Sequence, residues 1–105
     1  MAVQPNTIDL DGSAWQTELD FYDALAEALG SFPGHGRNPD AFTETMVYYL
    51  DLNDVQPPYI VQVRNSHGGM RDYVEKFSRW LAEAREDRRT DPEWGDDVEV
   101  SLQVV

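Results

Sequence analysis

A chain of 105 residues is long enough to bury one core and short for two, so a single domain spanning residues 1–105 is expected. Its 20 acidic residues against 8 basic ones give a formal charge of −12, which argues against nucleic-acid or anionic-membrane partners and favours a basic one. The absence of cysteine excludes disulfides, catalytic thiols and thiolate metal sites, and no apolar stretch approaches the roughly 20 residues of a membrane span.

The start, Met1-Ala2-Val3-Gln4-Pro5, has neither a basic region nor a long apolar run, so no signal peptide is visible. A cytoplasmic location is expected, in keeping with the lack of cysteine. Thr7 to Asp11 alternates polar and apolar residues before Gly12, as a short half-buried strand does. Asp20 to Gly30 reads as a helix, with Phe21, Leu25 and Ala28 on one stripe and a glycine stop; Thr17 and Asp20 are both suited to cap it. Asn38 and Pro39 then set the start of a second helix, because Asn accepts hydrogen bonds from the free N–H groups and Pro needs none at the first position. That helix is expected to run from Pro39 to about Asp51, with Phe42, Met46, Tyr49 and Leu50 facing inward. Asp40, Thr43, Glu44 and Val47 share the outward stripe.

Pro57-Pro58 breaks helical structure, and Tyr59 to Val63 reads as a nearly continuous apolar central strand. A loop from Asn65 to Gly69 leads into a third helix, whose stripe holds Met70, Tyr73, Val74, Phe77, Trp80, Leu81 and Ala84. Arg88 to Asp97 carries Pro92 and Gly95 and reads as a loop, followed by the alternating strand Val98 to Val104. Trp15 and Trp94 lie outside these elements and are assigned to core closure. Strands alternating with helices imply a parallel sheet with right-handed crossovers, and three strands make a small two-layer α/β domain. Alternation in the first and last strands leaves one sheet face wet.

Asp40 and Glu44, four residues apart, present two carboxylates on one solvent-facing surface. Such a pair is ordinarily a solvated face, and an acid in the first turn also favours the helix dipole. No catalytic residue, cofactor or metal is expected. His35 and His67 lack metal-ligand spacing, no Gly-rich nucleotide motif follows a strand, and nothing indicates a concave acid/base site. His35, between Gly34 and Gly36, is an aromatic in a flexible turn near the helix start and is a candidate contact residue. Arg37 either pairs with a local acid or falls at an interface rim.

The stretch Gly36-Arg37-Asn38-Pro39-Asp40-Ala41-Phe42-Thr43-Glu44 resembles the loop-and-helix signature of the barstar family, intracellular inhibitors of secreted microbial ribonucleases. That signature runs Tyr-Tyr-Gly-x-Asn-Leu-Asp-Ala-Leu-Trp-Asp. Gly36, Asn38, Asp40 and Ala41 match identically, and Phe42 and Glu44 are similar residues. The family's aromatic positions hold Gly34, His35 and Thr43 here, and its Leu holds Pro39. The resemblance implies three parallel strands with helices packed on one face. The family's extra short helix after the second strand has no room between Arg64 and Gly69. The resemblance further implies a partner, a basic ribonuclease or nuclease toxin, blocked by a monomeric immunity protein. Its contact residues would be Asp40 and Glu44 with Glu83 or Glu86 as a third acid, and Gly34, His35 and Thr43 at the family's aromatic positions; Val47, by its place on the same outward stripe, is a candidate apolar contact among them. An acidic interaction module of the same fold, binding a non-nuclease basic partner, is the alternative.

Overall fold

The computed structural model describes residues 6–105. Its elements follow in the order β1 (Asn6–Asp11), α1 (Glu18–Leu29), α2 (Pro39–Val47), a single 3₁₀ turn (Leu50–Leu52), β2 (Tyr59–Arg64), α3 (Gly68–Thr90) and β3 (Val100–Val104). The strands form one parallel sheet in the order β1-β2-β3, with Ile8 opposite Val61 and Val61 opposite Leu102. In-register pairing puts Leu10, Tyr59, Val61, Val63, Val100 and Leu102 on one buried face. Asp9, Gln62, Ser101 and Gln103 lie on the other, which is wet as the alternation implies.

Two caps show how the chain fixes its helices. The Thr17 hydroxyl accepts from the Asp20 N–H while the Asp20 carboxylate accepts from Thr17 N–H at 3.1 Å, so the two candidate caps of α1 act together as a capping box. Backbone N–H donors, first that of Gln16, hold the Asp20 carboxyl below its usual range. At the other end Gly30 turns left-handed at φ 64°, and a Cβ there would stand 2.7 Å from the Asp54 side chain.

The core is an aromatic cluster bridging the helices. Phe21 meets Phe77 edge-on at 5.3 Å between ring centroids, and Tyr22 stacks on Phe42 at 5.4 Å. Around them Leu25, Leu29, Met46, Val74 and Leu81 are fully enclosed. Each such side chain contributes about 1.5–3 kcal/mol through removal from water. Trp15 packs on Phe21 at the edge of this cluster.

The bounds of α2, α3 and β3 differ from the sequence reading. α2 stops at Val47 instead of continuing to about Asp51. Val47-Tyr48-Tyr49 is a run of β-branched and aromatic residues with weak helix propensity, and Tyr48 and Tyr49 N–H both donate to the Glu44 carbonyl as the helix unwinds. Ser31 and Asn53 then hold the chain in an antiparallel bridge. In consequence Tyr49 is 54% exposed, where an inward position was expected, and Leu50 is half-buried. α3 begins at Gly68 and continues through Arg88 and Arg89 to Thr90, and β3 starts at Val100. Trp94 does not close the core: it is 41% exposed and covers Arg88, its ring 4.6 Å from the guanidinium.

Candidate protein-binding site

The start of α2 is built as a rigid platform. Asn38 Oδ1 accepts from the Ala41 N–H at 2.8 Å, and Pro39 occupies the first helical position. Gly36 lies against this cap so closely that a Cβ would meet Asn38 Nδ2 at 2.9 Å and Ala41 at 3.1 Å. Arg37 ties the loop to α1, donating from Nε to Asp23 at 2.8 Å and from its terminal nitrogen to the His35 carbonyl at 2.7 Å. It is a local brace.

His35 is not the flexible contact expected of a glycine-flanked turn. It is buried, with its ring 4.2 Å from that of Phe42. Nδ1–H donates to the Gly36 carbonyl at 2.7 Å, and Nε2 pairs with the Thr45 hydroxyl at 2.8 Å. An inward-facing partner two turns into α2 pulls the ring under the loop and satisfies both nitrogens. Gly34 stays exposed.

Asp40 and Glu44 are exposed, and Thr43 is half-buried with its hydroxyl donating to the Asp40 carbonyl at 3.1 Å. Val47 shares their stripe on the helical wheel yet is fully enclosed. The stripe runs along the seam between α2 and α3, open at Asp40 and Thr43 and closed at Val47. There the Arg88 guanidinium donates to the Val47 carbonyl and grips Asp96 through two further hydrogen bonds at 2.9 and 3.1 Å. This grip holds the Asp96 carboxyl below its usual range. Trp94 packs over Arg88 and meets Tyr48 edge-on at 5.4 Å, so the α3–β3 loop is fastened to the end of α2.

The open part of the seam is a groove of about 260 Å³, lined by Pro39, Asp40 and Thr43 from α2 and by Trp80, Glu83, Ala84 and Asp87 from α3. Three carboxylates, Asp40, Glu83 and Asp87, therefore face one hollow whose lining contains no cation. Glu44 stands one turn beyond Asp40 on the outer surface, outside the lining. Of the two acids proposed for α3, Glu83 shares the hollow, whereas Glu86 lies in a different groove and pairs with Arg89 at 2.6 Å. Asp87 and Trp80 were missed as site residues. The spacing Trp80, Glu83, Asp87 does put them on one flank of a helix, but Trp80 was absorbed into the apolar stripe.

Beneath the platform the Tyr22 phenol is pushed up, first by burial, then by its hydrogen bond with Tyr73 and by the charges of Glu18 and Asp40. Among the described residues, no group of three or more His, Asp or Glu is placed to hold a metal, and no helix is long and apolar enough to cross a membrane. The arrangement suits recognition of a cation by fixed carboxylates beside the Trp80 indole, over whose ring the Lys76 ammonium stands 5.8 Å from the centroid.

No individual curated protein matches the chain. The model of the family described as Barstar (barnase inhibitor) matches residues 6–103, so that the signature around Asp40, the three-stranded parallel sheet and the family match coincide: the chain belongs to the barstar family.

Proposed function

We propose that this protein is an intracellular inhibitor or immunity protein that blocks the active site of a basic ribonuclease with the acidic seam between α2 and α3. The observation that carries the reading is the convergence of Asp40, Glu83 and Asp87 on one cation-free hollow, with Glu44 beside it. A ribonuclease must gather Arg or Lys side chains around the phosphates of its substrate. The same side chains can donate charge-assisted hydrogen bonds to carboxylates set at similar spacing. Inhibition is then phosphate mimicry with steric blockade, and it needs no chemistry from the inhibitor.

Affinity follows from rigidity and field. The capped start of α2, the Arg37 brace and the Arg88 fastening hold the carboxylates before the partner arrives, so little ordering cost falls on association. A formal charge of −12 accelerates encounter with a basic partner in a salt-dependent way. Trp80 offers the hollow an aromatic surface where Gly34 and Thr43 offer none. The inhibitor acts as a cytoplasmic monomer.

The test is titration of RNA cleavage by a barnase-type ribonuclease with wild type and Asp40→Ala/Glu44→Ala at low and physiological salt. Stoichiometric inhibition by wild type, lost in the variant with an unchanged circular dichroism spectrum, is expected. Equal inhibition by both rejects the acidic seam, and no inhibition by wild type turns the search to another nuclease or to a non-nuclease basic partner.

A further inference from the structure

The two edges of the sheet are treated differently by the sequence. Parallel pairing makes alternate residues bond inward, and on β1 the Asn6 and Gly12 N–H groups donate to Pro58 and Arg64 of the β2 side. Thr7, Asp9 and Asp11 therefore turn their backbone groups outward, and two of the three carry a charge that discourages a further strand. On β3 the Tyr59 N–H donates to the Glu99 carbonyl and the Val105 N–H to the Val63 carbonyl, so Val100, Leu102 and Val104 turn outward. The Arg85 guanidinium reaches the Val100 carbonyl at 3.3 Å, and the Val100 N–H is used locally by Val98. Among the described residues, the outward N–H and C=O groups of Leu102 and Val104 have no hydrogen-bond partner. From Val100 to Val105 this edge carries no charged residue.

Beside that edge lies a groove of about 480 Å³, with Val100, Ser101 and Leu102 on one side and the flank of α3 on the other. Arg79, Arg85 and Arg89 line it against two carboxylates, Asp97 and Glu86. The lining is thus net positive by one charge, in a molecule whose whole charge is −12. Arg85 and Arg89 are held by those carboxylates at 2.7 and 2.6 Å, which leaves Arg79 exposed without an ion-pair partner among the described residues.

We infer that the β3 edge is a second protein-binding surface, which takes an extended acidic segment of another polypeptide as a fourth strand. The free backbone groups of Leu102 and Val104 supply the ladder, the edge side chains carry no charge, and Arg79, in a groove that is net positive against the −12 of the whole chain, selects acidic side chains. A second copy of the chain fits this edge less well, because two molecules of charge −12 would bring together two grooves of the same sign. The surface lies apart from the α2–α3 seam, since the two grooves share no lining residue, and the inference is independent of ribonuclease inhibition.

The experiment is a ¹⁵N–¹H correlation titration of the labelled chain with an acetylated, amidated seven-residue peptide alternating valine and glutamate, beside the same peptide with lysine for glutamate. Saturable shifts of the Leu102 and Val104 amides with the glutamate peptide alone are expected. At least a five-fold loss of affinity is expected in Arg79→Glu and in Val104→Pro. The latter removes only an outward N–H, because the ladder to β2 uses its neighbours, so the rest of the spectrum should persist. Absence of shifts at these amides, equal response to the lysine peptide, or shifts driven by the concentration of the chain alone would each overturn the inference, the last by making a second copy the occupant.

Discussion

Asp40 sets a single charge at two tasks. In the first turn of α2 it favours the helix dipole by about 0.3–1 kcal/mol. In the seam it is one of three carboxylates lining one groove, and the proposed function gives them to a partner. These contributions are separable: Asp40→Ala should lower stability by no more than about 1 kcal/mol in urea unfolding, yet weaken ribonuclease binding by roughly 2 kcal/mol or more in calorimetry. Val47 presents the opposite case. Being fully enclosed, Val47→Ala should cost roughly 2 kcal/mol by lost transfer energy and a residual cavity, whereas an exposed valine would give a change within about 0.5 kcal/mol. A helical wheel groups residues by face but does not say what packs against each end of the face, and for that reason Val47 read as exposed. His35 was misplaced for a related reason: its partner, Thr45, lies ten positions away, and only the fold brings the two together.

The element on which the proposal rests most is α2, nine residues that depend on their surroundings for their placement. Asn38→Ala should cost about 1 kcal/mol in thermal or urea unfolding through loss of the cap. The start of this helix was legible because Asn-Pro is a local signal. Its end was harder to read, because the weak propensity of Val47-Tyr48-Tyr49 is a soft signal and the chain beyond it is held by the Ser31–Asn53 bridge and by Arg88 arriving from the far end of α3. The fastening by Arg88 and the pairing of Arg85 with Asp97 also set a pH dependence. Hydrogen bonds from Arg88 and Arg85 hold the Asp96 and Asp97 carboxyls below their usual range. A carboxyl depressed in the folded state adds stability that is present above the unfolded value of about 3.9 and is lost as pH falls through the folded value. The urea midpoint should therefore drop as pH is lowered through about 4 and beyond, and drop less steeply in Asp96→Asn/Asp97→Asn, as parallel unfolding curves at successive pH values would show.

At the scale of the molecule, element order and strand direction were legible because they follow from alternating periodicities and the lengths of the connections. The acidic seam was legible only in part. Asp40 announced itself through its cap, but the hollow it shares with Glu83 and Asp87 depends on the register of α2 against α3, which no local pattern encodes. A net charge of −12 by itself would attract any basic protein, so the central claim is that placement, and not total charge, determines binding. The most direct measurement compares the dissociation constant for a barnase-type ribonuclease of Asp40→Ala/Glu83→Ala with that of Asp9→Asn/Glu99→Gln. The second variant removes the same number of exposed charges away from the seam. At physiological salt the seam variant should bind at least about 100-fold more weakly than wild type, the arithmetic of roughly 3 kcal/mol, with the second variant within a few-fold of wild type. Equal weakening in the two variants would show that the field alone does the binding, and would contradict the assignment of the seam.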